Sequence, residues 1–202
     1  MSSDRAPLLC LASASPRRRE LLAQIKVPHE VEPAAVDEER VSGEPPRDYV
    51  LRLARAKALS VRSHRPPRQA VLAADTVVVL EASVFGKPRD RGDALEMLAM
   101  LGGRTHEVLT AVALAAGGTV VTALSVSAVR LRVLTEAERI AYWHSGEPCD
   151  KAGAYAIQGL GAVFVEHLSG SYSGVMGLPL FETAQLLEGA GIPYGPPVQA
   201  PA

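Results

Sequence analysis

Residues 8–22, LLCLASASPRRRELL, decide how the rest of the chain is read. An apolar run at residues 8–12 has the length of a strand and ends in small polar residues. Ser13, Ala14 and Ser15 follow, then Pro16, three arginines and an apolar pattern that resumes at Leu21. Serine before proline marks a helix start. The hydroxyl of Ser15 can cap free N–H groups, and Pro16 suits the first helical position, where its missing donor has no partner anyway. Strand, tight loop and helix are therefore expected, the helix ending near Lys26. Arg17 and Arg18 fall in its first turn, where the helix already presents partial positive charge. Two cations there are accounted for either by an anion, most simply a phosphate, or by a solvated surface cluster.

Working outward, 202 residues suit one large domain or two closely fused lobes. We expect a single domain over residues 1–202, with residues 1–6 and the Pro- and Gly-rich 193–202 loosely ordered. An aromatic content of 4% argues against stacking platforms for single-stranded nucleic acid. A net charge of −1 gives no global pull toward DNA, RNA or a membrane surface. No nucleic-acid or membrane partner is expected, and local basic clusters need local explanations. Cys10 and Cys149 stand far apart without a CxxC or a His/Cys cluster, which excludes a zinc site and a disulfide framework. Reduced, buried cysteines in a cytoplasmic protein are the expectation. No signal peptide or membrane span is legible.

A polar loop is expected at residues 33–46, then a helix at 47–63. Val50, Leu53, Ala54, Ala58 and Val61 form its apolar stripe, while Arg52, Arg55 and Arg62 face away. Lys57 falls inside the stripe, with Val50, Leu53 and Val61 all within about 40° of it on the helical wheel. It must either snorkel to solvent or meet an anion. Residues 69–80 read as a central strand interrupted by Asp75, where a carboxylate is costly unless paired or bound to metal. A turn then leads to Gly86 and Lys87. A helix is predicted at 90–101, and a hairpin of two long strands, 106–115 and 119–133, joined at Gly117-Gly118. Thr135 with Glu138 reads as a capping box for a helix stopping at Gly146. After a glycine-rich block, residues 162–168 are predicted as a strand, 170–177 as a loop and 179–188 as a last helix closed by Gly189. Alternating strands and helices with an antiparallel pair in the middle give α/β with a mixed sheet.

Arginines at a helix start, Lys57 on an apolar face, Asp75 in a core strand, Lys87 after a glycine turn and Glu38 in a loop ask for one explanation. Cations with two carboxylates suit a polyphosphate held with a hard divalent metal. The motifs SASPRRREL, LARAKA, AADTVV, GKPRD, GRTHEVLTAVAL and DKAGAYAIQGLGAVFVEHLSGSYSGVMGLPLFET resemble those of the Maf family of nucleoside triphosphate pyrophosphatases, over about residues 8–189.

That resemblance implies cleavage of a nucleoside triphosphate between its α and β phosphates, with a divalent metal cation, Mg²⁺ or Mn²⁺, required. It also implies an elongated mixed sheet with surrounding helices and a cleft between two lobes, as in inosine triphosphate pyrophosphatases, and a homodimer. Carried over by motif, Asp75 is the catalytic base. Ser13, Arg17, Arg18, Glu38, Lys57, Lys87 and Gln158 are pocket positions, and Glu38 and Asp75 serve the metal. Arg17, Thr76 and Gln158 match the pyrimidine branch, which takes dTTP and UTP. The 7-methyl-GTP branch has an aromatic or other residue, Gln and Glu at those places. Lys26 departs from the glycine that relatives usually carry there. The competing readings are a pyrophosphatase of 7-methyl-GTP or of modified nucleotides generally, and a nucleotide-sensing regulator of cell division.

Overall fold

The structure is a computed structural model that describes residues 8–196. Its elements run β1 (Leu9–Leu11), α1 (Pro16–Gln24), β2 (His29–Val31), α2 (Pro46–Arg62), β3 (Ala70–Leu80), β4 (Ser83–Phe85) and α3 (Arg91–Leu101). They continue with β5 (Thr105–Ala116), β6 (Thr119–Leu131), α4 (Glu136–His144), 3₁₀ turns at Glu147–Asp150, Ala152–Ala154 and Leu160–Phe164, β7 (Val165–Ser169), α5 (Tyr172–Met176) and α6 (Leu180–Gly189). Among the described residues, seven strands form one mixed sheet in the order β2-β1-β3-β5-β6-β7, with β4 also paired to β3. β1 runs parallel to β2 and β3, and the other pairings are antiparallel. The expected α/β class with a mixed sheet is the one observed.

Strand alternation divides the core. Val71, Ala73, Val77 and Val79 of β3 face the apolar stripe of α2, where Val50, Ala54, Ala58 and Val61 are fully buried. Leu72 and Ala74 pack on the other face with Leu21 and Leu22 of α1 and Leu187 of α6. Val78 and Leu80 join Leu98 and Leu101 of α3 and Tyr142 of α4 there. The predicted stripe of α2 is the buried one, Lys57 included. The hairpin turns at Gly117 and Gly118, whose φ of +57° and +85° only glycine adopts freely. The capping box also forms: Thr135 Oγ1 accepts from the Glu138 N–H at 3.3 Å, and the Glu138 carboxylate accepts from the Thr135 N–H at 2.8 Å.

Several expectations need correction. Ser15 occupies the N-cap of α1, but its side chain makes no capping bond, and the helix ends at Gln24 rather than near Lys26. Lys26 has φ +57°, a left-handed turn made by a residue with a Cβ. β2 and β4 leave no signal in the sequence pattern. Each is three residues long, too short to show a period, and exists through pairing to β1 and β3. The strand expected at 162–168 begins only at Val165, because residues 160–164 turn into a 3₁₀ helix whose first N–H groups are taken by Glu147. Within the expected loop 170–177 lies α5, capped by Ser171 Oγ on the Gly174 N–H and ended by Gly177 at φ +116°. Cys10 is buried as expected, but Cys149 is exposed on a 3₁₀ turn. Of the stretches expected to be loose, 1–6 and 197–202 lie outside the described residues; within 193–196 the Gly195 N–H donates to the Ile25 carbonyl.

His106 on β5 is 2% exposed, with Nε2 2.9 Å from the Tyr155 hydroxyl and Nδ1 unpartnered among the described residues. Burial lowers its pKa to about 4. A histidine with a depressed folded pKa supports the fold fully above its unfolded pKa, near 6.5, and loses that support as pH falls toward the folded value. Stability should therefore drop by about 3 kcal/mol between pH 6.5 and 4 on account of His106. Urea unfolding across that range should show the slope, and His106→Asn should flatten it. An equal slope in the variant would assign the acid lability to other groups.

Candidate active site

β1 leaves β3 after the Leu11–Leu72 pair, and β4 joins β3 only from Val78. Between them, residues 73–77 of β3 have no partner strand on that edge. Neighbouring residues of a strand point to opposite faces. At an open edge, however, both Asp75 and Thr76 reach the same crevice. There the chain leaving the end of β1 supplies Ala12 to Arg18, and the result is a cavity of about 500 Å³, within the usual range for a small-molecule site.

All the residues predicted from sequence line this cavity: Ser13, Arg17, Arg18, Glu38, Lys57, Asp75, Thr76, Lys87 and Gln158. Asp75 is 7% and Lys57 8% exposed. Lys57 Nζ donates to Asp75 Oδ1 at 2.7 Å and pairs with Glu38 Oε1 at 2.6 Å. Of the two fates open to Lys57, it meets anions, and these are carboxylates of its own chain. Burial raises the pKa of Asp75, and the attraction of Lys57 and Arg18 offsets this only in part. Its proton affinity thus lies above that of an ordinary aspartate.

The two arginines are fixed differently. Arg17 Nη1 lies 3.1 Å from Asp150 Oδ2. Arg18 donates to the Gly177 carbonyl at 2.7 Å, to Ser13 Oγ at 3.3 Å and to Thr76 Oγ1 at 3.2 Å. Burial lowers the Arg18 pKa, with Asp75 acting against it. Thr110 Oγ1 donates to the Gly174 carbonyl at 2.7 Å, so in its 3.0 Å contact with Thr76 it is the acceptor. A directed chain results, from Arg18 through Thr76 and Thr110 to α5, and it fixes the orientation of the Thr76 hydroxyl. Lys87 and Gln158 are exposed at the cavity. The Gly86 carbonyl accepts from the Gly153 N–H at 3.0 Å, tying the Lys87 turn to the glycine-rich block.

Sequence reasoning assigned no role to Tyr49, Thr110, Asp150 or Lys151. Tyr49 lines the cavity and its hydroxyl donates to the Glu38 carbonyl at 2.8 Å, holding the loop that carries Glu38. Asp150 bridges Arg17 and Lys151, and both Asp150 and Lys151 line the cavity. The DKAGAY motif held the only signal for that pair. In all, five cationic side chains meet three carboxylates around the cavity, an excess that favours an anionic ligand.

A family model described as Maf-like protein matches residues 8–190. The chain belongs to the Maf family. This Maf protein is 54% identical over 197 residues to the dTTP/UTP pyrophosphatase of Bordetella avium, covering 94% of this chain and 98% of that one. It is 56% identical to the dTTP/UTP pyrophosphatase of Methylococcus capsulatus over 91% of each chain. With that of Anaeromyxobacter dehalogenans it shares 55% identity over 93% of this chain and 96% of the other. Among solved structures, the Staphylococcus aureus Ham1 protein aligns with a TM-score of 0.43 at 12% identity, over 61% of this chain and 71% of that one. Among the described residues of the Maf chain, no helix is long and apolar enough to cross a membrane.

Removing the ammonium beside Asp75 should raise the carboxyl pKa further. In Lys57→Met the side-chain ¹³C titration of Asp75 should move to higher pH, and the protein should lose about 3 kcal/mol or more, as when a buried pair is broken. Arg55→Ala, on the exposed face of the same helix, should change neither. An unmoved Asp75 titration in Lys57→Met would contradict the coupling.

Proposed function

We propose that this chain hydrolyses dTTP and UTP to the monophosphate and pyrophosphate. The observation that carries the reading is that Arg17, Thr76 and Gln158, the three positions matching the pyrimidine branch, line one cavity with Asp75 and Lys57. The near-full-length similarity to pyrophosphatases of that name supports the same substrates.

The chemistry is in-line attack of water on the α-phosphorus, with pyrophosphate leaving. Asp75 orients that water and takes its proton, helped by a pKa that burial has raised. Lys57 holds Asp75 in place and keeps it ionised. Arg17, Lys87 and the uncapped N-terminus of α1 neutralise phosphate oxygens. Arg18, already committed to Ser13, Thr76 and Gly177, shapes the floor beneath them.

A divalent cation, Mg²⁺ or Mn²⁺, is part of the proposal, and Glu38 and Asp75 would hold it. Among the described residues no three His, Cys, Asp or Glu side chains gather as a metal cage. Two carboxylates converging on one ammonium fit an ion that takes one or two protein carboxylates and completes its shell with water and substrate phosphates. When bound, such an ion neutralises charge developing on the phosphates. A cytoplasmic location and a homodimer belong to the same reading and rest on the family resemblance.

Pyrophosphate release from dTTP, UTP, GTP and 7-methyl-GTP, with and without Mg²⁺, tests the proposal. The pyrimidine substrates should be cleaved fastest and only with metal. Asp75→Asn keeps the acceptor for Lys57 but loses the base, so turnover should fall roughly 10²–10⁴-fold. Because Lys57 keeps Glu38 as its counter-charge and the amide as an acceptor, the melting temperature should stay within about 4 °C of the parent, the shift that about 1 kcal/mol produces in a chain of this size. A destabilised but active Asp75→Asn protein would make Asp75 a structural brace and overturn the assignment.

A further inference from the structure

The segment 155–161, which carries Gln158, is fastened at both ends. At its start the buried Tyr155 hydroxyl meets His106 Nε2 at 2.9 Å, with the rings edge-on at 5.5 Å between centroids. At its end a single carboxylate, that of Glu147, accepts three hydrogen bonds. They come from the Tyr142 hydroxyl at 2.6 Å, the Leu160 N–H at 2.8 Å and the Gly161 N–H at 2.9 Å. The Tyr142 hydroxyl also accepts from the Ala156 N–H at 3.0 Å, so one oxygen links the two ends of the turn. Burial pushes the Glu147 carboxyl up, but the bonds from Tyr142, Gly161 and Leu160 outweigh it and hold its pKa below the usual carboxylate range. Glu147 is therefore a charged acceptor at neutral pH, and charge-assisted bonds are the stronger kind.

The fit around these groups is close. A Cβ on Gly161 would lie 2.6 Å from the Tyr142 hydroxyl and 2.8 Å from the Ala156 carbonyl, and one on Gly159 would overlap the Glu147 carboxylate. The turn can reach Glu147 only because these two residues have no side chain. Between the fastened ends Gln158 is exposed and lines the cavity, whereas neither Glu147 nor Tyr142 lines it.

We propose that Glu147 and Tyr142 are positioning residues for base selection: together they hold the 155–161 turn so that the Gln158 amide stands at one place and angle against the nucleobase. This rests on the reading of Gln158 as a selector among triphosphates. The latch sets where the amide points, while Glu147 and Tyr142 themselves stand outside the cavity lining that holds Asp75 and Lys57. It therefore acts on discrimination and binding rather than on the chemical step. Misplacing such a group by about an ångström is enough to lose much of its contribution.

The test is steady-state kinetics on dTTP, UTP, GTP and 7-methyl-GTP with Mg²⁺, for the parent, Glu147→Gln, Tyr142→Phe and Gly159→Ala. Glutamine cannot accept all three bonds, phenylalanine removes the shared oxygen, and alanine at 159 displaces the carboxylate without altering it. In each variant the KM for the preferred substrate should rise about tenfold or more while kcat stays within about threefold. The preference over the other triphosphates should shrink by the same factor. Adding Glu147→Gln to Gln158→Ala should then change the preference no further, since both act through one side chain. The amides of Ala156, Leu160 and Gly161 should exchange hydrogen faster in all three single variants.

A merely structural role predicts equal losses on every triphosphate and an unchanged preference, and that result would overturn the proposal. So would a Gln158→Ala variant that shifts preference while Glu147→Gln and Gly159→Ala do not. Should the parent favour 7-methyl-GTP, the dTTP/UTP reading fails. The latch is still judged, by whether the parent's own preference flattens in these variants.

Discussion

Burying an ionised carboxylate in the middle of an eleven-residue strand is the constraint around which this molecule is arranged. Asp75 loses most of its hydration on folding, and an unpaired carboxylate in that position would cost several kcal/mol. The compensation is Lys57, which the apolar stripe of α2 carries onto the same face of β3. Packing of α2 therefore does two things at once: it covers Val71, Ala73, Val77 and Val79, and it delivers one ammonium to the single charged residue among them. The attraction does not cancel the desolvation fully, and the raised pKa of Asp75 is what remains. A better-solvated aspartate would be easier to fold around and a weaker base.

The open edge of β3 follows from the same arrangement. Had β1 or β4 continued along residues 73–77, Asp75 and Thr76 would have been separated by the sheet. The short β1 and the late entry of β4 leave the crevice at strand ends that α/β sheets commonly use for ligands. α1 then starts at the mouth, with no capping bond from Ser15 and with Arg17 and Arg18 in its first turn.

How much of this was legible depended on whether a residue's meaning is local. The α2 stripe, the Gly117-Gly118 hairpin and the Thr135/Glu138 box are encoded by spacing within a few residues, and each is present. β2, β4 and α5 are shorter than any period that could announce them, and they exist by pairing or by one cap. In the cavity the same distinction holds. Lys57 and Asp75 stood out because each contradicts its own surroundings, a lysine in an apolar stripe and an aspartate in an apolar strand. Tyr49, Thr110 and Glu147 contradict nothing locally. Their partners lie 11, 64 and 14 residues away, so only the folded chain reveals what they hold. For Arg17 the sequence offered an external anion or solvent, whereas the folded chain presents a third partner, Asp150.

That third partner separates the cations of the cavity into two kinds. The Lys57–Asp75 pair is enclosed, with side chains 11% and 10% exposed, and breaking it would strand a buried charge. In the Arg17–Asp150 pair the carboxylate is 55% exposed, and in Lys57–Glu38 it is 59% exposed. Contacts of that kind are typically worth about 1 kcal/mol or less and are screened by salt. A polyanion entering the crevice meets Arg17 held loosely by a carboxylate that water can solvate, and Glu38 free to leave Lys57 at little cost. It cannot compete for the bond between Lys57 and Asp75 on the same terms. In the proposed hydrolysis the charges that would yield to the substrate are thus the solvated ones, and the pair that would stay fixed is the one the core encloses.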